Sequence, residues 1–564
     1  MKNKFYQPLQ WNLIMVRSRN RFFLFTCLII ICLLVLLTPV LAVTETGSVS
    51  RSAGTCSITS CLGLPLGTGV KTTPVQGPVS KTYVPPPGIM PVIVLQGSPY
   101  EMGYQYGLQA PEYIAITRDA AWATALSKNS YAEILDNCSI SQSYISSELT
   151  AFDFTAFFLG MSDAMNDQGI SFSPVDPIVM SYYGGRGGPV PEEHCTAFAA
   201  YGNVTNRGMI AGVNFDYFQV PANSYEVLLA MYPENGYPAL IPAGAGRLGS
   251  NAVVNEKGLV YFLSTAPSDG KGDLGPGISG FLEIPYVGMT AATVPEAEQE
   301  LLTMTRGFSL NRLLADTSGN AEVLEATRVR SAIRFPDNDS YIIATNYYRN
   351  PVMKPSQKIW DAEVYYPSTY YRYITVEKEI RNNTGNFNFG NAKKILSLRD
   401  WWDGKQWHMN DPWSTNTINR FRSDNVASTY SLIALPGENI VSVCTGNPGM
   451  PYWGARAAGQ TGTYINYTIS KTPETMVFRL RTDADAGFWK TLQVLGNNPD
   501  PDIARRYAAT EDRYWEAVWW HNRGVLENDR TAQAVAFGRA ATGFSEVIAS
   551  LEEIQSLCQN TTKI

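Results

Sequence analysis

The sequence predicts an α+β fold built in layers. Three observations lead there: a run of β-hairpins through the middle of the chain, helical stretches before and between them, and a long helical tail. Strands joined by tight turns pair antiparallel, and sheets flanked by helices stack as layers, whereas regular strand–helix alternation would wind into βαβ units.

The ordered region begins at VIVLQGSPYEMGYQYGLQAPEYIAITRDAAWATAL, a short strand followed by a helical pattern that carries Gly103 and Gly107 one turn apart. Two glycines at that spacing let a helix approach another backbone closely, so close packing is their expected role. After Cys195 the pattern turns to hairpins. CTAFAAYGN and MIAGVNFDYF flank the turn TNRG, EVLLAMYP and YPALIPAG flank ENG, and NAVV and LVYFLST flank NEKG, which reads as a meandering antiparallel sheet. A helix is expected near 294–305, then strands in LNRLLADTSG, AEVLEATRV and SYIIATNYY, and helices again from 501 to 557.

Ahead of this region, Arg17, Arg19 and Arg21 precede the apolar run from Phe22 to Leu37, and Val40-Leu41-Ala42 offers small residues where a signal peptidase cuts. Residues 1–42 read as a signal peptide or as a membrane anchor, because the apolar stretch approaches the length that spans a bilayer. Residues 43–91, rich in Ser, Thr, Gly and Pro, read as a linker. A secreted or cell-surface location is therefore expected, with membrane association confined to the N-terminal apolar segment. Oxidation there permits disulfides, with Cys56 and Cys61 as the first pair to consider.

The net charge is −6 with no long basic run, which argues against a nucleic-acid partner. The chain has three histidines, His194, His408 and His521, without a metal-ligand spacing, and it has neither a GxSxG elbow nor a GxxxxGK[ST] loop. No metal or cofactor is called for. A Ser or Cys nucleophile then needs a base other than histidine, and an N-terminal amine, with a pKa of roughly 7.7–8.0, can be that base. Such an amine is made by cutting the chain just before the nucleophile, which requires a reactive residue at the head of a hairpin.

EEHCTAFAAYGNVTNRGMIAGVNFDYF has that form. It resembles the opening of the catalytic subunit in the isopenicillin-N acyltransferase-like family (acyl-coenzyme A:6-aminopenicillanic acid acyltransferase) of N-terminal-nucleophile hydrolases, related to the choloylglycine and penicillin V hydrolases. GSPYEMGYQYG, LLADTSGNAEVLEATRVRSAIRFP and IIATNYY extend the resemblance. It implies a four-layer αββα sandwich with an added C-terminal helical region, and self-cleavage between His194 and Cys195. Residues 92–194 then become a small segment, released or retained, and residues 195–564 the catalytic subunit. The resemblance further implies Cys195 as nucleophile, Asp216 of Asn214-Phe215-Asp216 as the carboxylate that orients its amine, and Asn346 as an oxyanion donor. Asn214, Thr265 and one of Arg420 and Arg422, with Arg420 first, stand where related enzymes contact substrate. Bile-salt hydrolases have Arg before Asn-x-Asp; here that place is Val213, so substrate recognition must differ. The implied activity is hydrolysis or acyl transfer at an acyl amide, a small molecule or a peptide. A phospholipase-B-like lipid acyl hydrolase and a non-catalytic cell-surface binding protein using the 12 Trp residues are the alternatives, and the linker alone supports a structural stalk.

Overall fold

The chain divides into two units, Met1–Gly77 and Pro78–Ile564. The computed structural model describes residues 89–183, 195–218, 225–268, 270–337, 340–358, 367–409, 411, 414–420, 426–446, 463–495 and 500–561, all in the second unit. The leader, most of the linker, Cys56, Cys61, His194 and Arg422 lie outside these residues. The linker was expected to run to residue 91, yet Ile89 and Met90 are already buried in the core, because their side chains fill the space beside the first strand.

Among the described residues sixteen strands build two large sheets and one small ribbon. The eight-stranded sheet contains β1 (Val92–Gly97), β4 (Glu226–Pro233), β5 (Ala239–Gly244), β6 (Ala252–Asn255), β7 (Val260–Thr265), β8 (Leu310–Ala315), β9 (Ala321–Ala326) and β10 (Ser331–Arg334), side by side in that order. The six-stranded sheet has β2 (Thr196–Ala200), β3 (Ile210–Phe218), β11 (Tyr341–Ala344), β14 (Val426–Leu435), β15 (Ile440–Thr445) and β16 (Tyr464–Thr468), in the spatial order β11-β2-β3-β14-β15-β16. β12 (Trp401–Trp402) and β13 (Trp407–His408) form the ribbon. Only β1 and β4 pair in parallel among these strands.

Side-chain alternation stacks these sheets as the middle of a four-layer αββα sandwich. Leu228, Ala230, Val254, Phe262 and Leu313 from the large sheet meet Ala197, Ala199, Val213, Phe215 and Leu432 from the smaller one. Their neighbours in sequence face outward: Leu229, Ile241, Val253 and Leu314 pack under a layer of helices, whereas Phe198, Ile210, Ile343 and Ile433 pack under another. The first helical layer comprises α1 (Pro99–Gln109), α2 (Pro111–Leu126), α3 (Tyr131–Glu148), α4 (Phe154–Asp167), α5 (Asp176–Tyr183), α6 (Gly280–Thr290) and α7 (Val294–Thr303). The second comprises α8 (Pro367–Asn382) and α9 (Phe389–Leu396). The expected single meander is thus divided: β2 and β3 leave the strands that follow them and join β11 and β14. Their apolar residues occur at both odd and even positions, so each strand is buried on both faces, as an inner layer demands.

Gly103 and Gly107 serve close packing. A Cβ on Gly103 would lie 1.9 Å from the Phe157 carbonyl oxygen and one on Gly107 would lie 2.7 Å from the Ala164 Cβ, so α1 and α4 touch backbone to backbone. The free edge of β1 is covered rather than left as a template for another strand. Gln105 and Gln109 of α1 extend their amides along it, accepting from Gln96 N (2.7 Å) and Val94 N (3.3 Å) and donating to Gln96 O (2.9 Å) and Val94 O (2.8 Å). The C-terminal helices α10 (Pro473–Leu495), α11 (Pro501–Leu526) and α12 (Arg530–Thr561) close this side. α12 runs against both β1 and β16 and places Phe537, Phe544 and Leu551 in the inter-sheet core. Among the described residues no helix is long and apolar enough to cross a membrane.

Carboxyls at the outer helical layer set a pH response. Glu322 is 3% exposed on β9 beside Glu298 of α7, and burial together with that like charge raises its carboxyl to about 7; burial raises Glu300 to about 7 as well. The folded chain holds these protons more tightly than the unfolded chain, so the stability they contribute is full below about 4.5 and is lost as pH rises through 7. Thermal unfolding followed from pH 4 to 8 should therefore show Tm falling across that window. Glu322→Gln should flatten the fall and stabilise the protein at pH 8 by about 2 kcal/mol; the same pH profile in both proteins would contradict this assignment.

Candidate active site

Cys195 lies immediately before β2, 3% exposed, with its side chain in the inter-sheet core and at the wall of a cavity of about 430 Å³. The cavity opens between the first helical layer and the ends of the strands. Tyr182 and Tyr183 of α5, Phe215 and Tyr217 of β3, Leu263 and Thr265 of β7, and Phe281 of α6 line it. β2 and β3 pair with Thr196 opposite Asn214, and antiparallel counting puts Phe215 level with Cys195. Asp216 lies one position further, on the side where the Cys195 nitrogen joins the preceding residue.

Alternation decides which way each group points. Phe215 and Tyr217 share the inter-sheet face with Cys195. Thr196, Asn214 and Asp216 share the other face, under α8 and α9. Asp216 is fully buried there and its Oδ1 accepts from Ser428 Oγ at 2.6 Å. Ser428 Oγ in turn accepts from the Arg420 backbone N–H at 3.1 Å. The Arg420 side chain, also fully buried, donates to Ser368 Oγ at 2.7 Å and to the Thr415 carbonyl.

A second chain of bonds runs through Arg372 of α8, a fully buried guanidinium. It donates to the Cys195 carbonyl at 2.6 Å, to Thr196 Oγ1 at 2.8 Å and to Asn346 Oδ1 at 2.8 Å. Asn346 follows β11, donates its backbone N–H to Thr369 Oγ1 at 2.7 Å, and donates from Nδ2 to the Thr265 carbonyl at 2.9 Å. One cation thus ties the start of β2 to Asn346, and Asn346 ties it to the end of β7. Asn251, on the cavity lining, accepts from the Tyr430 hydroxyl of β14 at Oδ1, and its Nδ2 reaches the Asn214 carbonyl at 3.5 Å, joining the two sheets. Burial raises the Tyr430 phenol well above its ordinary pKa, which keeps it a neutral donor. Among the described residues there is no group of three or more His, Cys, Asp or Glu that could hold a metal ion.

With this geometry in view, the sequence can be compared with known proteins. Residues 204–430 match the acyl-coenzyme A:6-aminopenicillanic acid acyl-transferase family. The matched stretch starts after Cys195 and contains Asp216, Asn346, Arg372 and Arg420. Among solved structures the chain is similar to a conjugated bile acid hydrolase from Clostridium perfringens, at 14% identity over 49% of this chain and 98% of that one, with a TM-score of 0.31. It is similar to a penicillin V acylase from Agrobacterium tumefaciens at 15% identity over 44% and 83%, TM-score 0.29. An N-acylethanolamine-hydrolyzing acid amidase ortholog from Caenorhabditis elegans is 14% identical over 48% and 99%, TM-score 0.31. No curated protein matches the sequence.

Two of the residues expected to contact substrate stand behind the cavity lining, as do Asp216 and Asn346. Asn214 does not line the cavity: its side chain points into the α9 layer, donating to the Leu396 and Ile418 carbonyls at 3.0 Å each and accepting from Ser431 Oγ at 2.5 Å. Arg420 does not line it either, because its guanidinium is spent beneath α8 on Ser368 and Thr415. Thr265 does line the cavity and also offers its carbonyl to Asn346. Arg372, Ser428, Asn251 and Tyr430 were not singled out from sequence. Arg372 had a signal: with Thr369, Val376 and Ile380 it falls on one buried helical stripe, where it is the one cation.

Proposed function

We propose that the protein is a self-processing cysteine N-terminal-nucleophile hydrolase or acyltransferase that cleaves an acyl amide C–N bond through a thioester on Cys195. The observation that carries this reading is the placement of Cys195 at the head of a strand and at a cavity wall, with Asp216 one register position beyond it on the neighbouring strand. The family match supports the reaction class. In the precursor, the Cys195 sulfur attacks the His194 carbonyl carbon, the peptide bond breaks as the amine leaves, and water releases the resulting thioester. The new amine then takes the thiol proton, the thiolate adds to the substrate carbonyl, and the amine returns the proton to the departing nitrogen. Water or a second amine receives the acyl group. In the same proposal residues 1–42 direct export, and the mature enzyme acts outside the cell.

Asn346 is the proposed oxyanion donor. Its amide carries two N–H groups, and the bond to Thr265 uses one. Arg372 on Oδ1 fixes the amide the right way round, since a guanidinium only donates. Turnover of N-acyl amides tests the proposal: the mature protein should cleave them, and Asn346→Ala should lower kcat about 100- to 1000-fold while remaining folded. No cleavage of any N-acyl amide by processed protein would contradict the function, and an unchanged kcat in the variant would remove Asn346 from the oxyanion site.

A further inference from the structure

The cavity beside Cys195 is lined mostly by apolar surface, with neutral polar side chains such as Asn251 and Thr265 among it. Around Phe215, Phe281 and Phe308 the walls are aromatic and aliphatic, and Lys128 is the only charged side chain among the described residues that line it. Lys128 is exposed in the connection between α2 and α3, and among the described residues it enters no ion pair. Asn129 and Thr124 stand with it on the lining and add neutral hydrogen-bonding groups. A cation that no carboxylate among the described residues matches, at a largely apolar cavity, leaves a charge for the ligand to complement, since pockets take orientation from a few polar groups set in apolar walls.

We propose that Lys128 is the anion-recognition residue of this cavity, and that the preferred substrate is an amphiphilic acyl amide whose aromatic or aliphatic body fills the cavity while one carboxylate reaches the Lys128 ammonium. This rests on the reading that the Cys195 cavity is the reaction site. It makes the segment before the cleavage point a determinant of specificity, because Lys128 belongs to that segment.

The test uses matched twins that differ in one charge. N-phenylacetylglycine against N-phenylacetylglycinamide places the charge on the amine half; N-benzylglutaramic acid against its primary amide places it on the acyl half. For one of the two pairs, processed wild-type protein should favour the acid about fivefold in kcat/KM at low ionic strength, the advantage shrinking with added salt. Lys128→Gln should bring that ratio to about one and Lys128→Glu should invert it, with the neutral twin unaffected. Equal ratios in all three proteins for both pairs would overturn the proposal. Binding of the same twins to the Cys195→Ala protein separates the two readings: a Lys128-dependent preference for an acid without turnover by wild type would sink the catalytic reading alone, whereas turnover without any Lys128 dependence would sink this one.

Discussion

Cys195→Ala is expected to accumulate as an uncut chain with turnover lowered by about 10⁴-fold or more, the scale seen when a nucleophile is removed. Cys195 stands at the wall of an existing cavity and the substitution removes a single heavy atom, so the variant is expected to fold. Cys195→Ser should be cut slowly and keep little turnover, because a hydroxyl is a far weaker nucleophile than a thiol near neutral pH. Asp216→Asn should impair both steps, since in the proposed mechanism this carboxylate orients the amine that becomes the base. Intact mass and turnover of the three variants distinguish processing from catalysis. A Cys195→Ala chain cut at the same bond would assign processing to another protease, and a normal rate in that variant would exclude Cys195 from the chemistry.

The second large effect is expected at Arg372. Its guanidinium serves three acceptors at 2.6–2.8 Å in a fully buried setting. Arg372→Gln leaves at least one of them without a donor, at about 1–3 kcal/mol for each one lost, and releases the Cys195 backbone and the Asn346 amide from their fixed positions. Turnover should fall by about 10²-fold or more, with slowed processing, and Tm should drop by several degrees. Arg372→Lys should recover stability better than turnover, because a single ammonium does not reproduce the fork that spans Cys195, Thr196 and Asn346. If both variants lose stability while kcat per folded molecule stays at the wild-type value, Arg372 is a scaffold residue only.

The hairpins were legible because turn and strand chemistry is local: TNRG, ENG and NEKG mark reversals, and the apolar runs around them fix the strands. Their division between sheets was not legible, since β2 and β3 are buried on both faces and alternation gives such strands no preferred side. Cys195 and Asp216 could be found from one stretch of chain because a hairpin brings them together. The Arg372 bonds join residues 26 to 177 positions apart, and no local pattern encodes such a meeting. Asn214, two positions from Asp216, shares with it the strand face that looks into the α8 and α9 layer, so its side chain bonds to Leu396 and Ile418 and not to the cavity. α10 also escaped notice, because its apolar stripe is interrupted by charges that stay on its exposed side.

The most direct test of the central claim is the mass and N-terminal sequence of each polypeptide in purified active protein under denaturing conditions. Two chains are predicted, the larger beginning Cys195-Thr196-Ala197, with that cysteine the first thiol taken by iodoacetamide and its alkylation ending turnover. A single uncut chain with full amidase activity would contradict it.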